Sequence, residues 1–403
     1  MENKKKAVIS SIIASGTDDL NVMFLSFSMA SIISEFSLSG AQAGAIATVT
    51  NLGMLLGGLI FGYLGDRYHK LNILKITLLI FSLASGAIAF APSITILYIL
   101  RFIAGIGVGG EYGIALGIMA QIVPVHKMGR ISALNGVAGQ VGSITSAALA
   151  GLFLSHLGWR GLFLFGLAPL LLVLYMQVAI KDEKEFYPVK NDSALDKSEK
   201  INFAVLFKDL RTSYQTTALM LMCTVQIAGY FGMMNWLPTI MQEQAGLSVQ
   251  GSSLWMISTI VGMSLGMVVF GRLFDQFGPR LMFAAFLLAS ALGVYLFSQI
   301  TSPIGMLFGG AMMGFFVNGM FPGYGATVSY LYPKSVQSMA NNLILNVGRA
   351  VGGFSSMIIG IIMEHGNVTM VMLFLSCLYI FSFVVMLTIP GIKQKSFKKV
   401  FAQ

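Results

Sequence analysis

The two halves of this chain match each other at a fixed offset of 209 residues. Gly53, Gly57, Gly62 and Asp66 recur as Gly262, Gly266, Gly271 and Asp275. Further along, Gly105, Gly110, Pro124, Gly139 and Gly151 recur as Gly314, Gly319, Pro333, Gly348 and Gly360. Small and turn-forming residues held in register over such a distance mark a duplicated structural unit. The chain therefore has to fold as two copies of one architecture.

The nature of that architecture follows from polarity. Hydrophobic residues make up 56% of the chain and charged residues 10%, and the mean hydropathy is +0.80, which excludes a soluble globular domain. Crossing the hydrocarbon core takes about 20 mostly apolar residues. Such stretches occur near 9–33, 41–65, 72–91, 94–119, 130–155 and 160–180, and again near 214–238, 250–275, 280–298, 303–328, 338–363 and 367–389. We expect an all-α membrane protein of twelve transmembrane helices, six per half. A duplication of this kind in a polytopic membrane protein points to a two-bundle transporter.

Basic residues fall on alternate loops. Lys4, Lys5 and Lys6, then Arg67 and Lys70, Lys127 and Arg130, Arg272 and Arg280, Lys334, and the tail with Lys393, Lys395, Lys398 and Lys399 belong to one face, whereas the opposite loops hold only Arg160. The positive-inside rule then places both termini in the cytoplasm. The net charge of +9 is accounted for by this asymmetry and implies no nucleic-acid partner. The first apolar run is too long for a secretory signal and carries Asp18 and Asp19, so it reads as helix 1. Residues 181–213 mix seven Lys/Arg with seven Asp/Glu, which suits a solvated linker with a short surface helix near 201–210. The expected domains are thus an N-terminal bundle over 1–180, a cytoplasmic linker over 181–213 and a C-terminal bundle with a short tail over 214–403.

Catalytic chemistry has no visible basis. Cys223 and Cys377 sit alone within spans, and His69, His126, His156 and His365 lack ligand spacing, so neither a disulfide framework nor a metal site is expected. The glycines between Arg101 and Glu111 lie in a continuous apolar run, where small residues let helices approach closely. We expect no enzyme activity and no cofactor.

The segment Gly62-Tyr-Leu-Gly-Asp66-Arg67-Tyr-His-Lys70, with its weaker copy Gly271-Arg-Leu-Phe-Asp275-Gln-Phe-Gly-Pro-Arg280, resembles the cytoplasmic loop motif of the major facilitator superfamily. The likeness extends over essentially the whole chain. It implies that Asp66, Arg67, Lys70, Asp275 and Arg280 form a cytoplasmic gate, through charge-assisted bonds made when the bundles close. A narrower likeness lies in Asn235-Trp-Leu-Pro-Thr239, Gly314-Phe-Phe-Val-Asn318-Gly319, Leu331-Tyr-Pro333 and Val347-Gly-Arg349, which are similar to segments of the organic-acid/proton symporters, including the aromatic-acid type. Helix 1 reads Gly16-Thr17-Asp18-Asp19, so only Asp19 fits the second acid of that group's motif.

An ionisable group inside a span costs several kcal/mol unless it faces a cavity or a partner. Asp18, Asp19, Arg101, Glu111 and Arg349 are such groups. Arg349 shares a polar stripe with Asn342, Asn346 and Gly353, and its planar fork suits a substrate carboxylate; an internal salt bridge reads the same way. The 209-residue offset makes Gln140 its counterpart in the first half. Gln226, Tyr230, Asn235, Trp236 and Asn318 supply further groups for a small substrate. Asp19 is the first candidate for the coupling proton, with Asp18 and Glu111 beside it. Arg101 resembles the helix 4 arginine implicated in proton coupling in the superfamily. Arg101 and Glu111 stand about 15 Å apart along one helix and cannot pair directly.

The expected function is import of a small organic anion with a proton, by alternating access, in the cell membrane and as a monomer. A proton-driven exporter and a non-transporting membrane sensor are the alternatives. Helix 5 reads Gly139-Gln140-Val-Gly142 where the superfamily's antiporters tend to have Gly-Pro, and a buried arginine suits anions, so import is preferred over export.

Overall fold

The computed structural model describes residues 2–122, 125–180, 206–332 and 337–392. Within them the chain is helical: α1 Glu2–Phe36, α2 Gly40–Arg67, α3 Lys70–Ile88, α4 Ile94–Ile122, α5 Val125–Leu164 and α6 Pro169–Ala179 precede the linker. After it come α7 Leu210–Ala245, α8 Val249–Phe277, α9 Pro279–Phe297, α10 Pro303–Val317, α11 Pro322–Leu331, α12 Gln337–Gly352, α13 Ser355–His365 and α14 Val368–Thr388. The surface helix expected near 201–210 falls mostly outside the described residues.

Side-chain caps define where several helices begin. Ser39 accepts from Gln42 N at 3.2 Å while Gln42 Oε1 accepts from Ser39 N at 2.9 Å, closing a reciprocal capping box at the start of α2. Asp209, Ser302 and Asn367 cap α7, α10 and α14 in the same way, each accepting a backbone N–H three residues on.

Eleven helical segments among the described residues are long and apolar enough to cross a membrane. One of them, Leu134–Ala179, has 46 residues, roughly twice what one crossing needs. Gly158 divides it, with φ 66° and ψ 178° in place of helical values. Only a residue without a β-carbon takes that conformation readily. The two expected spans 130–155 and 160–180 are therefore joined by a glycine turn, and the second contains a 3₁₀ turn at Phe165–Leu167 before α6.

Two other expected spans are broken. The run 303–328 divides into α10 and α11 around Asn318–Phe321, where Phe321 N bonds Asn318 O at 3.1 Å and Gly323 N bonds Met320 O at 3.0 Å. Pro322 at the start of α11 has no N–H to continue the ladder. The run 338–363 divides into α12 and α13 at Gly353–Phe354.

The chain separates into two compact units, one holding α1–α6 with Asn235–Thr239 and Ser248–Leu254, the other holding the remainder from Ser193 onward. In the first, α2 and α3 pack on α4, and α1 packs on α5. Its core includes Leu74, Leu78, Phe81, Ile114, Ile118 and Met176. In the second, α9 packs on α10 and α14, and Phe270, Phe283, Phe286, Phe315 and Tyr324 make a chain of edge-on and stacked rings at 4.8–5.8 Å.

The duplication is repeated in the contacts themselves. A β-carbon at Gly53 would run into the carbonyl of Phe102, one at Gly57 into that of Ile106, and one at Gly105 into that of Thr50. In the second unit Gly262 meets Ala311, Gly266 meets Phe315 and Gly314 meets Thr259. Each of these glycines and each of its partners is shifted by the same 209 positions. The glycines thus bring α2 against α4, and α8 against α10, at backbone contact distance.

Candidate functional site

α1 carries the acidic side of the first unit. Asp18 is 6% exposed and Glu111, on α4, is fully buried. Their carboxyl groups lie beside each other, and Ser15 Oγ donates to Glu111 Oε1 at 3.3 Å. Ionised carboxylates only accept hydrogen bonds, so a contact between two of them is attractive only when the pair holds a proton. Glu111 Oε2 is buried with no hydrogen-bond partner among the described residues.

Asp19 takes the neighbouring direction, about 100° around α1. It is half-buried and lies against α5, where its carboxylate occupies the space that a β-carbon on Gly139 would fill. One turn on, Gly142 lets the carbonyl of Gly16 approach. Gln140, next to Gly139, is half-buried. The two adjacent acids therefore meet different helices, Asp18 towards α4 and Asp19 towards α5.

Arg101 is 3% exposed. Its Nε donates to Thr50 Oγ1 of α2 at 3.1 Å, and its guanidinium carbon lies 6.0 Å from the centre of the Phe163 ring.

In the second unit Arg349 is half-buried in the last turn of α12. Its carbonyl accepts from Gly353 N at 3.0 Å, at the break into α13. Asn346 is half-buried one turn earlier, while the side chain of Asn342 lies outside the described residues. Gly348 and Gly352 bring this part of α12 against Cys223, Ile227 and Thr224 of α7. Gln226 Nε2 donates to Val317 O at 2.7 Å and to Asn318 Oδ1 at 3.4 Å, so these two predicted residues meet at the break after α10. Gln226 Oε1 is buried without a partner among the described residues. Tyr230 is half-exposed with its ring edge-on to Phe231 at 5.0 Å. Asn235 and Trp236, which belong to the first unit, are buried.

At the loop motif, Lys70 Nζ donates to the carbonyl of Gly65 at 2.7 Å, and His69 Nδ1 accepts from Asn72 N at 3.3 Å to cap α3. Arg280 is half-buried in the first turn of α9. The side chains of Asp66, Arg67 and Asp275 lie outside the described residues.

Ser15, Thr50 and Phe163 were not among the expected site residues. Ser15 carried a usable signal, because it lies one turn before Asp18 and Asp19 on the same helix. Thr50 and Phe163 gave none.

The sequence profile of the Major Facilitator Superfamily matches residues 11–269 and 240–402. The chain belongs to that superfamily. It is accordingly a multi-pass membrane transporter and not an enzyme. A Haemophilus influenzae protein with a provisional name as a metabolite transport protein is 34% identical over 396 residues, covering 97% of both chains. The cis,cis-muconate transport protein of Acinetobacter baylyi is 27% identical, over 90% of this chain and 89% of its own. Among solved structures, a D-xylose–proton symporter superposes with a TM-score of 0.80 at 18% identity, covering 97% of this chain and 99% of that one. This likeness to the symporter speaks for the superfamily fold alone.

Proposed function

We propose that this transporter carries a small organic anion into the cytoplasm together with a proton. The observation that carries the reading is the buried contact between Asp18 and Glu111. An isolated charge in hydrocarbon costs several kcal/mol, and two neighbouring carboxylates also repel. One proton on the pair relieves both costs, which makes it a group able to load and release a proton during a transport cycle. Asp19, separately placed against Gly139, acts as a second acidic group in the same step.

Arg349 supplies the cation for the substrate carboxylate, with Gln140, Asn346, Tyr230, Gln226, Asn318 and Asn235 as neutral polar groups for the rest of the molecule. Its position one turn before a helix break is in keeping with this role, because discontinuous helices put backbone groups where transporters hold substrate. An organic acid also agrees with the relative named for cis,cis-muconate. The distribution of basic loops supports cytoplasmic termini, which puts Asp66, Arg67, Lys70, Asp275 and Arg280 at the cytoplasmic gate.

The test is reconstitution into vesicles holding an internal pH dye, with an inward proton gradient and a panel of organic acids and their neutral analogues. Acid-dependent internal acidification that disappears in Glu111→Gln is expected. Labelled acid that equilibrates with no proton movement would leave a uniporter or exchanger and remove the proton role of Asp18, Asp19 and Glu111.

A further inference from the structure

Lys75 puts a cation on the outward, apolar side of the first unit. It follows Lys70, the first residue of α3, by five positions, and Ile76, Leu79 and Leu83 continue its face of the helix as an exposed apolar stripe. α6 packs beside α3 and presents a matching stripe of Leu171, Leu174 and Val178. In a bilayer such stripes meet acyl chains, and a charge among them is costly unless it reaches the headgroup layer. Lys75 stands about 7.5 Å from the start of α3, at 1.5 Å per residue. Gln177, two positions before the end of α6, stands about 3 Å from that end, so both polar side chains are within reach of the headgroups.

The two polar groups are joined. Lys75 Nζ donates to Gln177 Oε1 at 2.8 Å, with Lys75 half-buried and Gln177 exposed. An amide has one acceptor oxygen and two N–H donors. The oxygen is turned to Lys75, so the NH₂ end is left over, and among the described residues it makes no hydrogen bond. A cation with N–H donors beside it calls for an acceptor that carries negative charge. Lipid ester carbonyls accept but are neutral, whereas a phosphodiester has two charged oxygens, one for the amide N–H and one for the ammonium. On the cytoplasmic assignment of the termini proposed above, this end of α3 and α6 lies in the leaflet richer in anionic lipid.

We propose that Lys75 and Gln177 form a binding site for the phosphate of an anionic phospholipid, whose chains run along the apolar stripes of α3 and α6. Bound there, the lipid ties α3 to α6 at the outside of the first unit, away from the residues assigned to substrate and proton. The lipid site and the organic-anion reading are independent, and neither falls with the other.

The experiment measures the affinity of the first lipid retained by the purified protein in native mass spectrometry. The probes are dioleoyl phosphatidylglycerol, dioleoylglycerol, which has the same chains and no phosphate, and glycerol phosphate, which has the phosphate and no chains. The wild type should bind phosphatidylglycerol at least tenfold tighter than either of the others. Lys75→Met should bring phosphatidylglycerol and dioleoylglycerol to within threefold of each other, and Lys75→Arg should keep most of the difference. Gln177→Glu sets one of the protein's own carboxylates beside Lys75, should act like Lys75→Met, and serves if Lys75→Met does not fold. Lys5→Met, at an exposed lysine outside the pair, should leave the difference unchanged. Wild-type discrimination in folded Lys75→Met or Gln177→Glu, or an equal loss in Lys5→Met, would overturn the site. Glycerol phosphate bound as tightly as phosphatidylglycerol would mean a site for a free anion and would overturn the lipid assignment.

Discussion

Lys70 turns its ammonium back onto the carbonyl oxygen of Gly65 at 2.7 Å, so the first residue of α3 closes the end of α2. The last carbonyls of a helix have no partner within it, and a cation there satisfies one and complements the helix dipole. The Lys70 stem also lies along Gly117 of α4, tying three helices at one loop. Lys70→Gln should lower stability by about 0.5–1 kcal/mol, read as a fall in the detergent melting temperature, and an unchanged melting temperature would show the contact to be dispensable.

Gly139 and Gly142 lie one turn apart on α5 but should fail in different ways. A methyl at Gly139 meets the Asp19 carboxylate, whereas one at Gly142 meets the backbone of α1 at Gly16 and Leu20. A side chain can move aside and a helix backbone cannot do so cheaply. Gly139→Ala should fold and lose transport, and Gly142→Ala should lose stability by about 1–3 kcal/mol, the usual cost of overpacking. Melting temperature and uptake measured on both variants decide this. Equal loss of folding in the two would contradict the distinction.

Asp18→Asn and Glu111→Gln should have similar consequences because each removes one half of the pair that holds the proton. Gradient-driven accumulation of labelled acid should fall at least tenfold, while exchange of internal for external acid, which needs no net proton movement, should survive. If Asp18→Asn alone leaves accumulation intact, the proton belongs to Glu111 or Asp19 by itself.

The start of α7 should loosen in acid. Asp209 accepts from Thr212 N at 2.9 Å and from Thr212 Oγ1 at 2.8 Å, and these bonds hold its carboxyl below the ordinary carboxylate range. A carboxylate with its pKa lowered in the folded state contributes stability that is complete above the unfolded-state value and is lost as pH falls through the folded one. Hydrogen exchange at the Thr212 and Ser213 amides should therefore be protected at neutral pH and lose that protection only below the normal range for an aspartate, after correction for intrinsic rates. Asp209→Asn keeps an acceptor and should make the protection independent of pH.

At the far end of the first unit, Glu35 accepts from Trp159 Nε1 at 2.6 Å and from Arg160 Nη2 at 2.7 Å, and Arg160 also reaches Ala91 O at 3.1 Å. This joins α1, α5 and the α3–α4 connection. Glu35→Gln should cost about 1 kcal/mol, since the groups are only partly buried, and should sharpen into a larger effect in Glu35→Ala. Thermal unfolding of the two variants would show it, and wild-type stability in Glu35→Ala would exclude a holding role.

The helical class and the repeat were legible in the sequence because hydrocarbon thickness and glycine register act over many residues at once. The breaks at Asn318–Phe321 and Gly353–Phe354 were not, since the apolar run continues across them and hydropathy does not register a lost backbone bond. Gly158 was hidden in the same way. Asp18, Glu111 and Arg101 stood out as charges within spans, yet nothing in their positions told that Asp18 would meet Glu111, 93 residues away in the chain, or that Arg101 would meet Thr50. Such contacts depend on how helices rotate about their axes, and rotation is decided by glycine-to-carbonyl packing that only the folded chain displays.

The conserved spacing of the glycine contacts has a consequence for how the two copies differ. Offset by 209, Asp18 becomes Ile227, Asp19 becomes Ala228, Glu111 becomes Met320 and Arg101 becomes Gly310, while Gln140 becomes Arg349. The backbone-to-backbone fits survived the doubling, and these ionisable groups within the spans did not. Once two identical frames existed, each was released from supplying every charge: the acids stayed in one half, and its matching positions in the other filled with apolar or small side chains. A division of labour of this kind lets either half change its chemistry without disturbing the frame that both inherited.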